Sequence, residues 1–286
     1  MSLTERSKLS QAIKDDTNVV RAHVAMVQQY QDNAKHSKMA KWLSPTDYPA
    51  QQSDIIRRKQ EGTGQWFLDA PEFASWLGRP KGTLFCPGIP GAGKTMVAAI
   101  AIDHLLTSVQ SSSVGVVYVY CNHKDQGTQD TPGLLAALVK QLVQTRPLAA
   151  EPVERLHKQH SDRGAKPTLD ELFNTLKEML TKYSTVYIVV DALDECRDSD
   201  GTRRQFLARL RDLQTGQDIR LMATARFIPE IEDGFRTATK LEVRASDEDV
   251  RRFVAGQMYR LPRCIQHDTS LQDMVEEKIA EAADGM

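Results

Sequence analysis

Cysteine is scarce in this chain and never clustered. The four residues, Cys86, Cys121, Cys196 and Cys264, stand far apart with no C-x-x-C pair, which argues against a disulfide framework or a zinc site. Cys121 and His123 lie close enough to share a metal, but a buried strand cysteine followed by a loop histidine accounts for them as well. Long apolar runs are also missing. No stretch is long enough to span a bilayer, and the polar N-terminus lacks the apolar core of a signal peptide. The chain is therefore expected to be cytoplasmic. An excess of one charge is lacking too: 37 Lys and Arg against 38 Asp and Glu give a formal net charge of −1. That balance gives no global reason to expect nucleic acid or an anionic membrane as partner, and the expectation is neither. At 286 residues, 41% of them hydrophobic, there is room for one large α/β domain with appendages or two small ones.

What the chain does have is organised around Gly88-Ile89-Pro90-Gly91-Ala92-Gly93-Lys94-Thr95. The run fits G-x-x-x-x-G-K-[ST], the phosphate-binding P-loop. Glycines let the backbone turn tightly with its N–H groups pointing inward, a nest for phosphate oxygens. Lys94 supplies a charge for the β- and γ-phosphates, and Thr95 a hydroxyl for Mg²⁺. The helix predicted from Met96 aims its positive end at the same anion. Context supports the motif, because the apolar run Thr83-Leu84-Phe85-Cys86 precedes it and Met96 to Leu106 is helix-forming and apolar on most faces.

Upstream, Leu9, Ile13, Val20, Val24, Val27 and Tyr30 draw one stripe along a helix. The stripe fits a helix packed on the domain or the stem of a signalling or oligomerisation domain. Lys41 to Ala50 reads as an irregular connector, and Arg57-Arg58-Lys59 as a solvated basic face. Glu61 to Leu68 is either a loop lining a nucleotide-base pocket or a turn that buries Trp66 and Phe67.

Downstream, Val114 to Cys121 is β-branched and aromatic, a second strand. Thr131-Pro132 reads as a cap followed by a first-position proline, opening a helix with Leu134, Leu135, Leu138 and Leu142 inside. Thr168-Leu169-Asp170-Glu171 is a capping box. Val186-Tyr187-Ile188-Val189-Val190 is continuously apolar, as in a strand buried on both faces of a parallel sheet. It runs into Asp191-Ala192-Leu193-Asp194-Glu195, which suits a Walker B segment. Asp191 would hold Mg²⁺, and the acids beyond it would polarise the water that attacks the γ-phosphate. Ile219 to Thr224 forms a fourth strand ending in Ala225-Arg226, where the arginine is either a γ-phosphate sensor or an exposed loop residue. A fifth strand is expected near Leu241-Glu242-Val243. Ser246 then caps a helix through Val254, and Thr269-Ser270 opens another toward Ala283. The expected fold is α/β, a three-layer P-loop NTPase with a five-stranded, mostly parallel sheet. An N-terminal helical segment and the start of a C-terminal helical subdomain complete it.

These stretches together resemble the NACHT-type NTPase domain of fungal NLR-like proteins, in the signal-transducing STAND branch of P-loop ATPases and near the nephrocystin-like group. The residues that carry the likeness are Trp42 to Pro45, Glu61 to Trp66, Cys86 to Thr95, Val189 to Cys196, Ala223 to Arg226, Leu241 to Val250 and Ala283 to Met286. They span nearly everything from residue 41 onward. The resemblance implies an N-terminal segment at 1–40, the NTPase domain at 41–245 and a truncated helical subdomain at 246–286.

It implies that Gly88, Ile89, Pro90, Gly91, Ala92, Gly93, Lys94, Thr95 and Met96 bind ATP or ADP, with Thr95 and Asp191 on Mg²⁺. Lys94, Asp194, Glu195 and Arg226 would be catalytic, Arg226 as the sensor. ATP would open and oligomerise such a chain while ADP holds it closed. Because the family continues into a winged helix and repeats, the chain is expected to be a piece of a longer protein whose repeat domain binds the trigger. Absence of the winged-helix histidine puts an ADP-locked state in doubt for this piece.

Three functions remain in view: a slowly hydrolysing ATPase switch, a nucleotide-binding scaffold without turnover, and a P-loop kinase. The acid pair beside Asp191 favours water as acceptor over a kinase substrate. Asn122-His123-Lys124-Asp125 does not fit a guanine reader, since both residue order and position are wrong.

Overall fold

The computed structural model describes residues 21, 24, 26, 34–109, 111–125, 127–146, 150–161, 164–198 and 200–283. Its centre is a five-stranded sheet of β1 (Thr83–Pro87), β2 (Val114–Tyr120), β3 (Thr185–Asp191), β4 (Ile219–Ala225) and β5 (Thr239–Lys240). The strand order is β2-β3-β4-β1-β5 and every pairing is parallel. Buried residues run consecutively along β1 to β4, so both faces of the sheet are covered, as continuous apolar strands require.

A helix at 34–43 (α1) precedes α2 (Tyr48–Ile56), α3 (Gln65–Leu68) and α4 (Pro71–Gly78). The loop after β1 leads into α5 (Lys94–Ser108), whose run from Val97 to Ile102 is buried without a break. That suits a helix enclosed by its neighbours. The next helices are α6 (Thr131–Thr145), α7 (Glu151–Ser161), α8 (Leu169–Leu180), α9 (Thr202–Gly216) and α10 (Pro229–Gly234). One packed group joins α2 to α5, and α5 to β2, β3 and β4. Another joins α6 to α8 and α9, and these to β2 and β4. Beyond β5 lie α11 (Asp247–Gln257), α12 (Arg263–Gln266) and α13 (Thr269–Ala282), with α11 packed on α13.

The Thr168 capping box forms, with Thr168 and Glu171 exchanging hydrogen bonds at the start of α8. Two expectations are corrected. The cap of α6 is Asp130, which accepts from the Gly133 amide at 2.8 Å, while Thr131 opens the helix and donates its hydroxyl to the Thr202 carbonyl. A carboxylate one residue earlier caps as well as threonine and still leaves proline in the first turn. The fifth strand pairs at Thr239–Lys240, ahead of the apolar residues. Leu241 and Val243 extend along β1 by donating to Phe85 and Pro87, and Val243 is fully buried. The apolar run marks which side chains face the core, not where the ladder starts. Of the N-terminal stripe, Val24 is half exposed. Leu9, Ile13, Val20, Val27 and Tyr30 lie outside the described residues, as do the final 284–286.

A chain of rings fastens α3 and α4 to the sheet. Phe67 lies 4.8 Å from Phe73, Phe73 lies 5.6 Å from Trp76, and Trp76 meets Tyr187 of β3 edge-on at 5.3 Å. Phe73 also contacts the His104 ring on α5. Replacing Phe73 with alanine removes the middle of this chain and is expected to cost about 3–5 kcal/mol. The measurement is a lowered midpoint of urea unfolding relative to the parent chain.

Candidate functional site

The strands β1, β3 and β4 end side by side at one edge of the sheet. The register sets Pro87 against Ala225 and Val190 against Ala223, so the residues that follow each strand emerge together. From β1 comes the loop Gly88 to Gly93, tied to the tip of β4 by the Gly88 amide donating to the Ala225 carbonyl at 3.1 Å. Gly93 sits at φ 88°, ψ 16° and turns the chain directly into α5 at Lys94. A side chain rarely adopts that conformation, which explains glycine here.

Lys94 folds back over its own loop and donates to the carbonyls of Gly88 at 2.8 Å and Ile89 at 2.7 Å. Burial pulls its ammonium below the ordinary lysine range, opposed by the charge of Asp194. Asp191, at the tip of β3, is buried. It accepts from the Thr224 hydroxyl at 2.7 Å and from Thr95. Burial pushes its carboxyl up to about 6, against the lowering effect of those two hydrogen bonds. The next residue, Ala192, takes a left-handed conformation with φ 51° and gives its amide to Thr224 at 2.9 Å. A non-glycine residue held there stores strain.

The two acids that follow part company. Asp194 is almost fully enclosed; it accepts from the Arg226 amide and pairs with the Arg226 guanidinium, both at 3.1 Å. Glu195 turns the other way, toward His123 at 3.3 Å. Arg226 follows β4 and its side chain is 47% exposed, so it is both an exposed loop residue and a member of the cluster. Lys94, Asp191, Asp194, Glu195 and Arg226 are thus gathered above the P-loop, close enough that the four others all shift the titration of Lys94.

Cys121 is buried at the end of β2, and Cys196, just past Glu195, is buried too. The neighbouring Cys196 thiol, with burial, pushes the Cys121 thiol well up. His123 pairs with Glu195 rather than sharing a metal with Cys121. No group of three or more His, Cys, Asp or Glu among the described residues is arranged to hold a metal. The Thr95 hydroxyl with the Asp191 carboxylate remains a hard-oxygen pair, which suits Mg²⁺ when water and phosphate complete the shell.

Beside the P-loop opens a mainly apolar cleft of about 450 Å³. One wall is Gly91 to Gly93 with Met96, Val97 and Ile100; another is Thr63, Gly64 and Trp66; the far side comes from Phe253, Leu261 and Ile279. Of Glu61 to Leu68, Thr63, Gly64 and Trp66 line the cleft, while Phe67 is fully buried in the core and Trp66 only partly so. Gly64 packs so closely on α5 that a Cβ there would meet Ile100 at 2.2 Å. Its amide donates to Asp249 of α11 at 2.8 Å, and Arg252 donates to the Gly62 carbonyl. No local pattern signals this far wall or the His123–Glu195 contact, since each joins residues from separate elements.

The model of the family described as nephrocystin 3, N-terminal, matches residues 62–226. No curated protein matches the chain. Among solved structures, the Aeropyrum pernix ORC1 protein in complex with DNA is 16% identical, with 73% of this chain covered and a TM-score of 0.43. A Walker-type ATPase of Pyrococcus abyssi is 13% identical, with 79% covered and a TM-score of 0.47. The replication initiator DnaA bound to AMPPCP and single-stranded DNA is 12% identical, with 80% covered and a TM-score of 0.43. The chain spans only 49% of the ORC1 chain, 64% of the ATPase and 63% of DnaA. Two of these structures are complexes with DNA, so the expectation that nucleic acid is no partner is withdrawn. A net charge near zero is a global sum and does not describe any one surface. No helix among the described residues is long and apolar enough to cross a membrane. The all-parallel sheet with the P-loop between β1 and α5 is the P-loop NTPase fold, and by a match over more than half its length the chain belongs to the nephrocystin 3 N-terminal family.

Proposed function

We propose that the chain is the ATP-binding, slowly hydrolysing switch module of a cytoplasmic NLR-like signal-transduction protein, with nucleotide state controlling oligomerisation. The observation that supports this best is the convergence of Lys94, Asp191, Asp194, Glu195 and Arg226 over one P-loop. In this reading 41–245 is the NTPase domain, with 1–40 an N-terminal helical segment and 246–286 the opening of a helical subdomain. Gly88 through Met96 hold the phosphates of ATP or ADP. The cleft lined by Trp66 and Phe253 takes the base.

Thr95 and Asp191 would hold Mg²⁺, which would offset the negative charge of the phosphates. Lys94 leaves its loop carbonyls for the β- and γ-phosphates. Glu195 takes the proton of the attacking water, Asp194 orients Arg226, and Arg226 meets the charge on the γ-phosphate. Because ADP lacks these last contacts, ATP and ADP bias two arrangements of the chain differently. A second reading, a scaffold that binds nucleotide without turnover, draws support from the two acids being engaged already, Asp194 by Arg226 and Glu195 by His123.

Lys94→Ala is expected to abolish ATP binding by calorimetry; equal affinity in parent and variant would overturn the assignment. Glu195→Gln is expected to bind ATP as the parent does and to lose phosphate release, and a parent chain with tight ATP but no turnover would favour the scaffold. Asp191 gives a third expectation. Its folded carboxyl titrates at about 6, above the unfolded value of about 3.9. The protonated form therefore favours the fold at low pH, and that contribution is lost as pH rises through about 4 to 6. In Mg²⁺-free buffer, Asp191→Asn should lack this dependence and gain roughly 2–3 kcal/mol on the parent between pH 4 and pH 7.5. Urea unfolding at both pH values measures it.

A further inference from the structure

The proposed mechanism leaves His123 without a role, although its Nε2 stands 3.3 Å from Oε2 of Glu195. It is not a stray surface contact, because the turn carrying it is braced at several points. The Cys121 amide donates to the Asp191 carbonyl at 3.1 Å, extending β2 along β3. The Asn122 amide donates to Gln129 at 2.9 Å, and Gln129 in turn donates to the Tyr120 carbonyl at 2.9 Å. The Asn122 side chain accepts from the Lys124 amide at 3.0 Å and donates to Asp125 at 3.2 Å. His123 is thereby set in a one-turn 3₁₀ helix, His123–Asp125, with a fixed relation to the end of β3.

The facing turn, Leu193–Glu195, is equally fixed. Its start is held by the Ala192 amide on Thr224, and the turn itself by the Glu195 amide donating to the Ala192 carbonyl at 2.8 Å and the Cys196 amide to the Leu193 carbonyl at 3.2 Å. Two braced turns thus meet at the rim, imidazole to carboxylate. A long acid on a 3₁₀ turn has several rotamers open to it, and fixing one oxygen from outside leaves one direction for the other.

We infer that His123 is the positioning residue for Glu195: its Nε2, paired with Oε2 at 3.3 Å, holds that oxygen and directs the remaining carboxylate oxygen to water at the γ-phosphate. The inference rests on the reading of Glu195 as the hydrolytic base. It does not require His123 to touch nucleotide. A positioning error of this kind acts on the chemical step and leaves ground-state binding alone.

The experiment is steady-state ATP turnover by the full chain, its His123→Ala, His123→Gln and Glu195→Gln variants, with ATP affinity measured in parallel by calorimetry. His123→Ala is expected to lower kcat about tenfold, with KM and ATP affinity within about twofold of the parent. His123→Gln, whose amide can hold the same oxygen, is expected to recover most of the rate. His123 is 57% exposed, so neither variant threatens the fold, and unchanged thermal midpoints will verify that. Turnover by His123→Ala equal to the parent overturns the inference. So does a change in KM alone, or a glutamine variant as slow as alanine. If the parent turns over ATP and Glu195→Gln does not, the reading of Glu195 stands whichever way the His123 variants fall. If the parent shows no turnover, both fail together.

Discussion

The Thr224 hydroxyl donates to the Asp191 carboxylate and accepts the Ala192 amide, and so locks the tips of β3 and β4 at the point where the site begins. Three consequences follow from that small junction. It keeps a buried carboxylate in contact with polar partners, without which burial would be far more costly. It holds Ala192 in a left-handed conformation, so the chain turns sharply and Asp194 and Glu195 leave in different directions. It also fixes β4 relative to β3 just before Arg226, which lets Arg226 close on Asp194. Phosphate loop, acids and arginine have a common frame because one hydroxyl of β4 bonds twice to the end of β3.

That junction works only on a sheet whose neighbours are rigid. Both faces are packed, and the ring chain from Phe67 to Tyr187 carries the rigidity out to the segment before β1. Two buried glutamines are likewise matched rather than stranded. Gln52 donates to the Ala99 carbonyl and accepts from Tyr120, joining α2, α5 and β2. Gln141 bonds the amide and carbonyl of Tyr118 at once. Such pairings hold the strands and the helices beside them in one arrangement.

Much of this was legible before any coordinates. The P-loop, the apolar strand into Asp191 and the capping box at Thr168 are local patterns in which residue type and backbone conformation determine each other, and all three appear where expected. The fifth strand and the cap of α6 were displaced by one or two residues. In both places a neighbouring residue meets the same physical need. What lay beyond reading was contact between elements: Glu195 with His123, Arg252 with Gly62, Gly64 with Asp249. Nothing in the spacing of residues 64 and 249 encodes their meeting, because it depends on how α11 settles against the sheet edge. Arg226 was the intermediate case. Its place at the end of a parallel strand put it near the ligand edge, but its bond to Asp194 depended on the turn at Ala192.

The grip of α11 on the loop before α3 has a further thermodynamic meaning. Asp249 holds the Gly64 amide, Arg252 holds the Gly62 carbonyl, and Phe253 on the same helix forms part of the cleft wall. A molecule seated in the cleft therefore meets a wall that exists only while α11 is docked. Its apparent affinity is the intrinsic affinity scaled by the fraction of chains in that docked form, so anything that pries the helix away weakens occupancy without touching a phosphate contact. By reciprocity, occupancy raises the work needed to pull the C-terminal helices off the domain. The cleft and the helical hairpin are in this sense one thermometer read from two ends.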